Sequence, residues 1–474
     1  MLRKGETEVS EKRYNIIFYF TDQQRADTLG CYGQELDVSP VLDELAKDGV
    51  LFENAFTPQP VCGPARACLQ TGRYPTETGC YVNGIGLDYD EVTIAKELRK
   101  AGYETAYVGK WHLASDFTKE IYYETSYIPL ERMGGYRDYV VACDTNELCS
   151  HGYDGYLYDC VNNKKMEFIG YRVDCVTDFA VHYLQNKKSD KPFFLMLSHL
   201  EPHHQNDHDR FEGPDGSKER FKDYKVPEDL LHGKYEGDWK DNYPDYLGAC
   251  RSLDDNLGKL IRTLKEKGLY EDTIIIFASD HGCHFRTQDG EYKRNFYDSC
   301  LRVPLVIHGG EFRGGIRCNK LVSLINLPTT ILEIAGVKPP ECMRYPSLQT
   351  IMKDDNLGHS VFYQISESFV GRGIRTQKWK YAVHAPHAQD LGEVSHEWSL
   401  EAYYKMVGKA KKDSDTYEEL GLFDLENDPY EKHNLVSDPA YRQVREELRK
   451  LLIRHMLEAG EKAPEIYPAG TVSG

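Results

Sequence analysis

Residues 14–21 read YNIIFYFT, apolar almost throughout and without alternation between the two faces of a strand. A strand wetted on one side alternates. A strand buried on both sides does not, and that condition is met by central parallel strands with helices above and below. The run stops at Asp22-Gln23-Gln24-Arg25, a polar group at the carboxyl end of the strand, where open α/β sheets carry their sites. Further strand-length runs follow at 50–55, 104–108, 192–197, 273–278 and 301–308. Helical patterns fall at 39–49, 93–100, 173–184, 246–267 and 321–334. The first has Ser39 as N-cap, Pro40 at the first helical position and Gly49 at its end. The last carries Pro328, which predicts a kink. Strands alternating with helices predict an α/β fold.

At 474 residues the chain exceeds one average domain. From about residue 359 short strands (361–365, 379–383) alternate with turns, and a last helix runs from 438–439 to about 458. A catalytic domain over 1–358 and a small α+β subdomain over 359–474 are therefore expected. Residues 115–170, rich in Tyr and weakly periodic, read as an insertion over the active face, and 213–243 as an irregular surface loop.

No apolar run is long enough to cross a bilayer, and residues 1–13 lack an apolar signal core. The 13 cysteines are scattered without paired spacing and include no Cys-x-x-Cys, which leaves a zinc site of that kind unsupported. Free thiols and no export signal predict a cytoplasmic protein. The net charge of -18 opposes nucleic acid or an anionic membrane as partner. An anionic substrate would need a local pocket of Lys, Arg and His.

Between the strand at 50–55 and a helix through 67–71 lies Cys62-Gly63-Pro64-Ala65-Arg66. A helix N-terminus offers free N–H groups and partial positive charge to an anion. Pro64 suits the first turn, and Arg66 is near enough to hold charge on whatever Cys62 becomes. Cys-x-Pro-x-Arg, followed by Ala67 and Thr71-Gly72-Arg73, resembles the formylglycine signature of the type I sulfatases of the alkaline phosphatase superfamily, with Ala65 where Ser is usual. The resemblance implies that a maturation enzyme oxidises Cys62 to formylglycine, whose hydrated aldehyde is the nucleophile.

The resemblance extends along nearly the whole chain. Asp22-Gln23 and Asp280-His281 match the two pairs that hold a divalent metal against the residue at 62. Most members have Asp-Asp and Asp-Asn, and this pattern is that of choline-sulfatase-like and phosphonate-monoester-hydrolase-like members. Oxygen ligands imply Ca²⁺, and the histidine admits Mn²⁺. In Gly109-Lys110-Trp111-His112, Lys110 would bridge nucleophile and sulfate oxygens and His112 would help break the covalent intermediate. Alternate residues of an extended chain share a face, which places Lys110 and His112 together. His203, after Pro202, would serve the leaving oxygen. Lys293 is the family's second lysine, with Arg294 as competitor, and Asp280 the carboxylate base. The polar run 199–209 suits a sugar, and residues 422–429 resemble the family's small subdomain.

The expected protein is thus an alkaline-phosphatase-like α/β sulfatase, its mixed, mainly parallel central sheet flanked by helices. It would be exo-acting on a sulfated saccharide. Hydrolysis of phosphonate monoesters or phosphodiesters at the same site is the alternative that competing kinetics would separate. Phosphoryl transfer without formylglycine is separable by the mass of the Cys62 peptide. A decayed binding protein is opposed by the presence of every expected functional group.

Overall fold

Every residue of β1 (Asn15–Thr21) is buried. Ile16, Phe18 and Phe20 enter one apolar core and Ile17 and Tyr19 another, on opposite faces of the sheet. This is why the sequence shows no alternation there. The protein is described by a computed structural model over residues 13–386 and 405–471. Residues 1–12, most of the polar N-terminal stretch, lie outside the described residues.

The main sheet follows in chain order with β2 (Val50–Phe56), β3 (Glu104–Lys110), β4 (Tyr139–Cys143), β5 (Asp154–Asp159), β6 (Lys164–Ile169), β7 (Phe193–Ser198), β8 (Thr273–Ser279), β9 (Arg302–Val303), β10 (Leu305–His308) and β11 (Ile316–Ser323). Their spatial order is β11-β2-β10-β8-β1-β7-β3-β4-β5-β6, with β9 on β2. The central run β8-β1-β7-β3-β4 is parallel throughout, and β10 and β5 run against their neighbours. The sheet is therefore mixed and mainly parallel. Helices Arg172–Asn186 and Trp239–Glu266 cover one face through Val176, Leu184, Leu253 and Leu260. Helices Ile94–Lys100 and Leu327–Ile334 cover the other through Ile94, Leu98, Leu327 and Ile331.

A second sheet is built from β12 (Ser360–Ile365), β13 (Gly371–Thr376), β14 (Trp379–His384), β15 (Thr416–Asp424) and β16 (Glu465–Tyr467). Helix Arg442–Glu458 packs on it through Leu448, Leu452 and Met456. Val361, Tyr363, Ile365 and Phe423 share a core with Phe56 and Leu321 of the main sheet and with Leu301 just before β9, which joins the two layers.

Several expectations are corrected. Residues 115–170 are not only a covering insertion, because β4, β5 and β6 extend the sheet from within them. The short, half-exposed β5–β6 hairpin is rich in Tyr and Lys and lacks the signature of a buried strand. Residues 321–334 are not one kinked helix. Leu321–Ser323 end β11, Ser323 Oγ accepts the Ile325 N–H to start a turn, and helix Leu327–Ile334 follows with Pro328 in its first turn. The run at 301–308 is two strands divided at Pro304, which has no N–H for a ladder. The long helix starts at Trp239, inside the expected loop, which also holds the short helices Ser217–Arg220 and Glu228–Leu231. Cys143 and Cys149 form a disulfide, against the expectation of free thiols alone. No helix among the described residues is long and apolar enough to cross a membrane.

Candidate active site

Five segments meet at the carboxyl edge of the parallel strands. Asp22 and Gln23 follow β1, Lys110 ends β3, His203 follows β7, Asp280 and His281 follow β8, and Cys62 begins helix Cys62–Thr71 after β2. Cys62 is 1% exposed at the floor of a cavity of about 470 Å³. Val61, at its N-cap, is extended and has no capping oxygen. Asn83 supplies one from elsewhere, accepting the Gly63 N–H at 2.8 Å.

Around Cys62 Sγ stand Lys293 Nζ at 2.9 Å, His281 Nε2 at 3.2 Å and Asp22 Oδ1 at 3.4 Å. Lys110 Nζ lies 2.9 Å from Asp22 Oδ2 and 3.1 Å from Glu147 Oε2. Arg66 reaches Asp22 Oδ2 at 3.0 Å, and its other nitrogen donates to Ser198 Oγ and the Lys110 carbonyl. His203 Nε2 is 3.1 Å from Lys293 Nζ, with its Nδ1 on the His204 carbonyl. Both candidates for the second lysine, Lys293 and Arg294, line the cavity. Arg294 is turned away to Glu291 and Glu367, and Lys293 faces the thiol.

The Gly-Lys-Trp-His segment has a separate physical task at each position. Gly109 has φ 107°, and a Cβ there would sit 1.9 Å from the Ser198 carbonyl oxygen, so only glycine lets β3 and β7 close. Lys110 turns into the site. Trp111 enters the core, packed on Tyr107 and Tyr136, with its indole N–H donated to Arg132 O. The strand then ends and His112 takes φ 60°, so it faces the cavity through a left-handed turn and not through an extended alternation. Gln23, Arg286 and Arg294 are also left-handed non-glycine residues lining this cavity. Strain of this kind costs of order 1–3 kcal/mol per residue and gathers at functional sites.

Electrostatics sets the two aspartates apart. Burial and Cys62 push Asp22 up, but Lys110, His203 and Arg66 outweigh them and hold it well below the usual carboxylate range. Burial and the neighbouring Asp22 raise Asp280 to about 6. Burial likewise opposes ionisation of Cys62, yet Lys110, Lys293 and His281 bring the thiol well below its ordinary value. The position thus stabilises negative charge on whatever atom stands there. Burial and Lys293 lower His203, which keeps it neutral in the free site.

Asp22, Cys62, Asp280 and His281 bring their ligand atoms within 4.8 Å of one another. Asp280 Oδ2 is buried without a hydrogen bond, with the Arg66 guanidinium 3.5 Å away as its ion-pair partner, which leaves it coordination capacity for a metal ion. Gln23 commits its amide nitrogen to Cys283 Sγ at 3.4 Å, which leaves the carbonyl oxygen as its ligand atom. Two carboxylates, an amide oxygen and an imidazole fit a divalent ion.

Some site residues were not legible in the sequence. Glu147 balances Lys110, and Asp144 accepts the Ala114 and Ser115 N–H groups, yet both lie in the weakly periodic 115–170 stretch. Ser198, the last residue of β7, holds Arg66. Of the polar run, His204, Asn206, Asp207 and Asp209 line the cavity. His199 instead is buried against Tyr19 with neither ring nitrogen hydrogen-bonded, and burial with Arg172 lowers it to about 3.

A buried cluster of three fixed cations about one potential nucleophile, beside a metal-competent set of ligands, defines a hydrolase of anionic esters. Residues 14–337 match the family model Sulfatase, and residues 289–458 match the model described as N-sulphoglucosamine sulphohydrolase, C-terminal. The chain belongs to the sulfatase family and is a sulfuric ester hydrolase. It is 30% identical to an ulvan-active sulfatase of Formosa agariphila, over 97% of this chain and 83% of that one. A solved structure, BT4656 in complex with its substrate D-glucosamine-2-N,6-O-disulfate, matches at TM-score 0.72 and 23% identity, covering 95% of this chain and 98% of the other. The phosphonate monoester hydrolase of Agrobacterium radiobacter shares the fold at TM-score 0.69 and 19% identity, covering 94% and 96%.

Proposed function

We propose that this sulfatase removes sulfate from a saccharide at a chain end, with a formylglycine derived from Cys62 and a Ca²⁺ ion, or Mn²⁺, held by Asp22, Gln23, Asp280 and His281. The observation that carries the reading is the convergence of Lys110, Lys293 and Arg66 with the histidines on residue 62, at the floor of a cavity. A formylglycine would supply a hydrated-aldehyde hydroxyl as nucleophile, and a divalent ion positive charge against the sulfate oxygens.

The chain's own residues account for the remaining tasks. Lys110 and Lys293, both buried, face the charge that develops on the transferring group, where low local polarity makes such charges act strongly. Asp280, whose ligand oxygen lies within 4.8 Å of Cys62 Sγ, is the carboxylate placed to take the proton of the attacking hydroxyl. His203 is lowered in the free site by burial and by Lys293. An anion bound beside Lys293 offsets that charge and lets His203 carry the proton the leaving alcohol needs. His112, on the cavity wall, is placed to act on the residue at 62 when sulfate is expelled.

The walls support a saccharide. Asn206, Asp207, Glu124, Thr145 and Arg286 offer donors and acceptors. Hydrogen bonds to hydroxyls discriminate strongly, because a wrong sugar leaves them unpaired. One relative acts on ulvan and one structural neighbour holds a glucosamine sulfate. The Asp-Gln and Asp-His pairs keep phosphonate and phosphate diester hydrolysis as the second reading.

The test is sulfate release by matured enzyme from sulfated monosaccharides, short oligosaccharides and intact polymer, with an aryl phosphonate ester alongside. Terminal sugars should react fastest. Faster release from polymer interior, or preference for the phosphonate, would overturn the reading.

A further inference from the structure

Outside the centre at Cys62, a second group of metal-ligating side chains stands at the cavity rim. His151, Asp207 and His208 bring ligand atoms within 4.8 Å of one another. They come from two segments. His151 follows helix Asn146–Cys149, which carries Glu147, and Asp207 and His208 lie in the turn after His203 and His204. His151 Nε2 is 2.9 Å from Asp207 Oδ2, and the two imidazole rings stack at 4.5 Å.

A supporting shell is already built. His208 Nδ1 pairs with Glu212 Oε1 at 2.6 Å, and Glu212 is fixed by the Gly152 N–H and by Arg210. A carboxylate on one ring nitrogen sets the tautomer and leaves Nε2 as the ligand atom, the arrangement that orients metal-bound histidines. Asp207 is held through its other oxygen by Gln205, whose amide also donates to the Glu147 carbonyl. The rings are parallel, so a shared ion requires His151 to turn out of the stack. Its side chain is 44% exposed, which leaves room to turn.

We propose that His151, Asp207 and His208 form a second metal site, for Zn²⁺ or a similar borderline transition ion, that clasps the segment bearing Glu147 to the segment bearing His203. Two imidazoles and one carboxylate, with a position open to water, match zinc and not the oxygen-rich shell of Ca²⁺. The two centres therefore differ in preference, and the rim can be loaded while Ca²⁺ saturates the other.

The test is calorimetric titration of the full chain with Zn²⁺ in Ca²⁺-saturated buffer, with X-ray absorption at the zinc edge. Wild type should take up one more Zn²⁺ than a His151→Ala/His208→Ala double variant, with nitrogen in the zinc shell. Glu212→Gln should weaken uptake about 10–100-fold. Both histidines are solvent-exposed and absent from the cavity wall, so the double variant should keep its melting temperature and its sulfate release in zinc-free buffer. Equal zinc stoichiometry in wild type and double variant, or no uptake by wild type, would overturn the site.

Discussion

Lys293 Nζ stands 2.9 Å from Cys62 Sγ, across 231 positions of sequence. The sulfur occupies the place of the attacking oxygen in the proposed mature site, so Lys293 faces both nucleophile and sulfate. Lys293→Ala should reduce kcat/KM by roughly 10²–10³-fold, the loss typical of one preorganised charge donor. Arg294→Ala, whose guanidinium pairs with Glu291 and Glu367 and not with Cys62, should cost far less. Steady-state kinetics of the two variants checks the assignment.

Metal dependence is predicted from Asp280, buried beside Asp22 with Oδ2 not hydrogen-bonded. Chelation should abolish turnover, and Ca²⁺ or Mn²⁺ should restore it. Asp280→Asn should lose metal in elemental analysis. Burial and Asp22 raise Asp280 to about 6 in the metal-free site, so below that pH an ion must displace a proton. The sign is fixed: apparent affinity falls as pH drops through 6, by up to about tenfold per unit.

Glu147 is expected to act through Lys110. It shares Lys110 with Asp22, and its removal leaves Lys110 free to lean wholly on Asp22. Glu147→Gln should lower kcat about 10–100-fold while the protein keeps its melting temperature. An unchanged kcat would make Glu147 a structural bystander.

Stability has a test away from the chemistry. Lys380, fully buried in β14, pairs with both Asp298 and Glu431 and so ties the small sheet to the main one. Lys380→Met takes the cation from buried Glu431 and leaves Asp298 with Arg375 at 3.6 Å, and should cost about 3–5 kcal/mol by denaturant unfolding. Burial outweighs Lys380 and raises Glu431 to about 7 from 4.5, so the folded chain holds a proton that the unfolded chain has released between those values. Stability from this group is therefore lost as pH rises across that window, and Glu431→Gln should flatten the slope.

The strands that position the site were legible because burial on both faces leaves an unbroken apolar run, as in β1 and β8. The site residues were legible because each follows such a run or sits in a compact motif, as Asp22, Lys110 and Asp280 do. Glu147 and Asp144 were not, since they follow β4, only five residues long, and owe their place to contacts with Lys110 and the 114–115 backbone. Leu321–Ser323 misled for the opposite reason. Their apolar character continues without a break into helix Leu327–Ile334, and the turn between them is marked only by Ser323 and Asn326. His112 shares a face with Lys110 through a left-handed turn that periodicity cannot announce.

The central claim is that residue 62 of the working enzyme is formylglycine. Mass spectrometry of the tryptic peptide bearing residue 62, from protein co-expressed with a maturation enzyme, tests it most directly. The account predicts a peptide lightened by exchange of CH₂–SH for CHO, in a fraction that tracks specific activity from one preparation to the next. A fully active preparation in which every such peptide carries unmodified cysteine would contradict it.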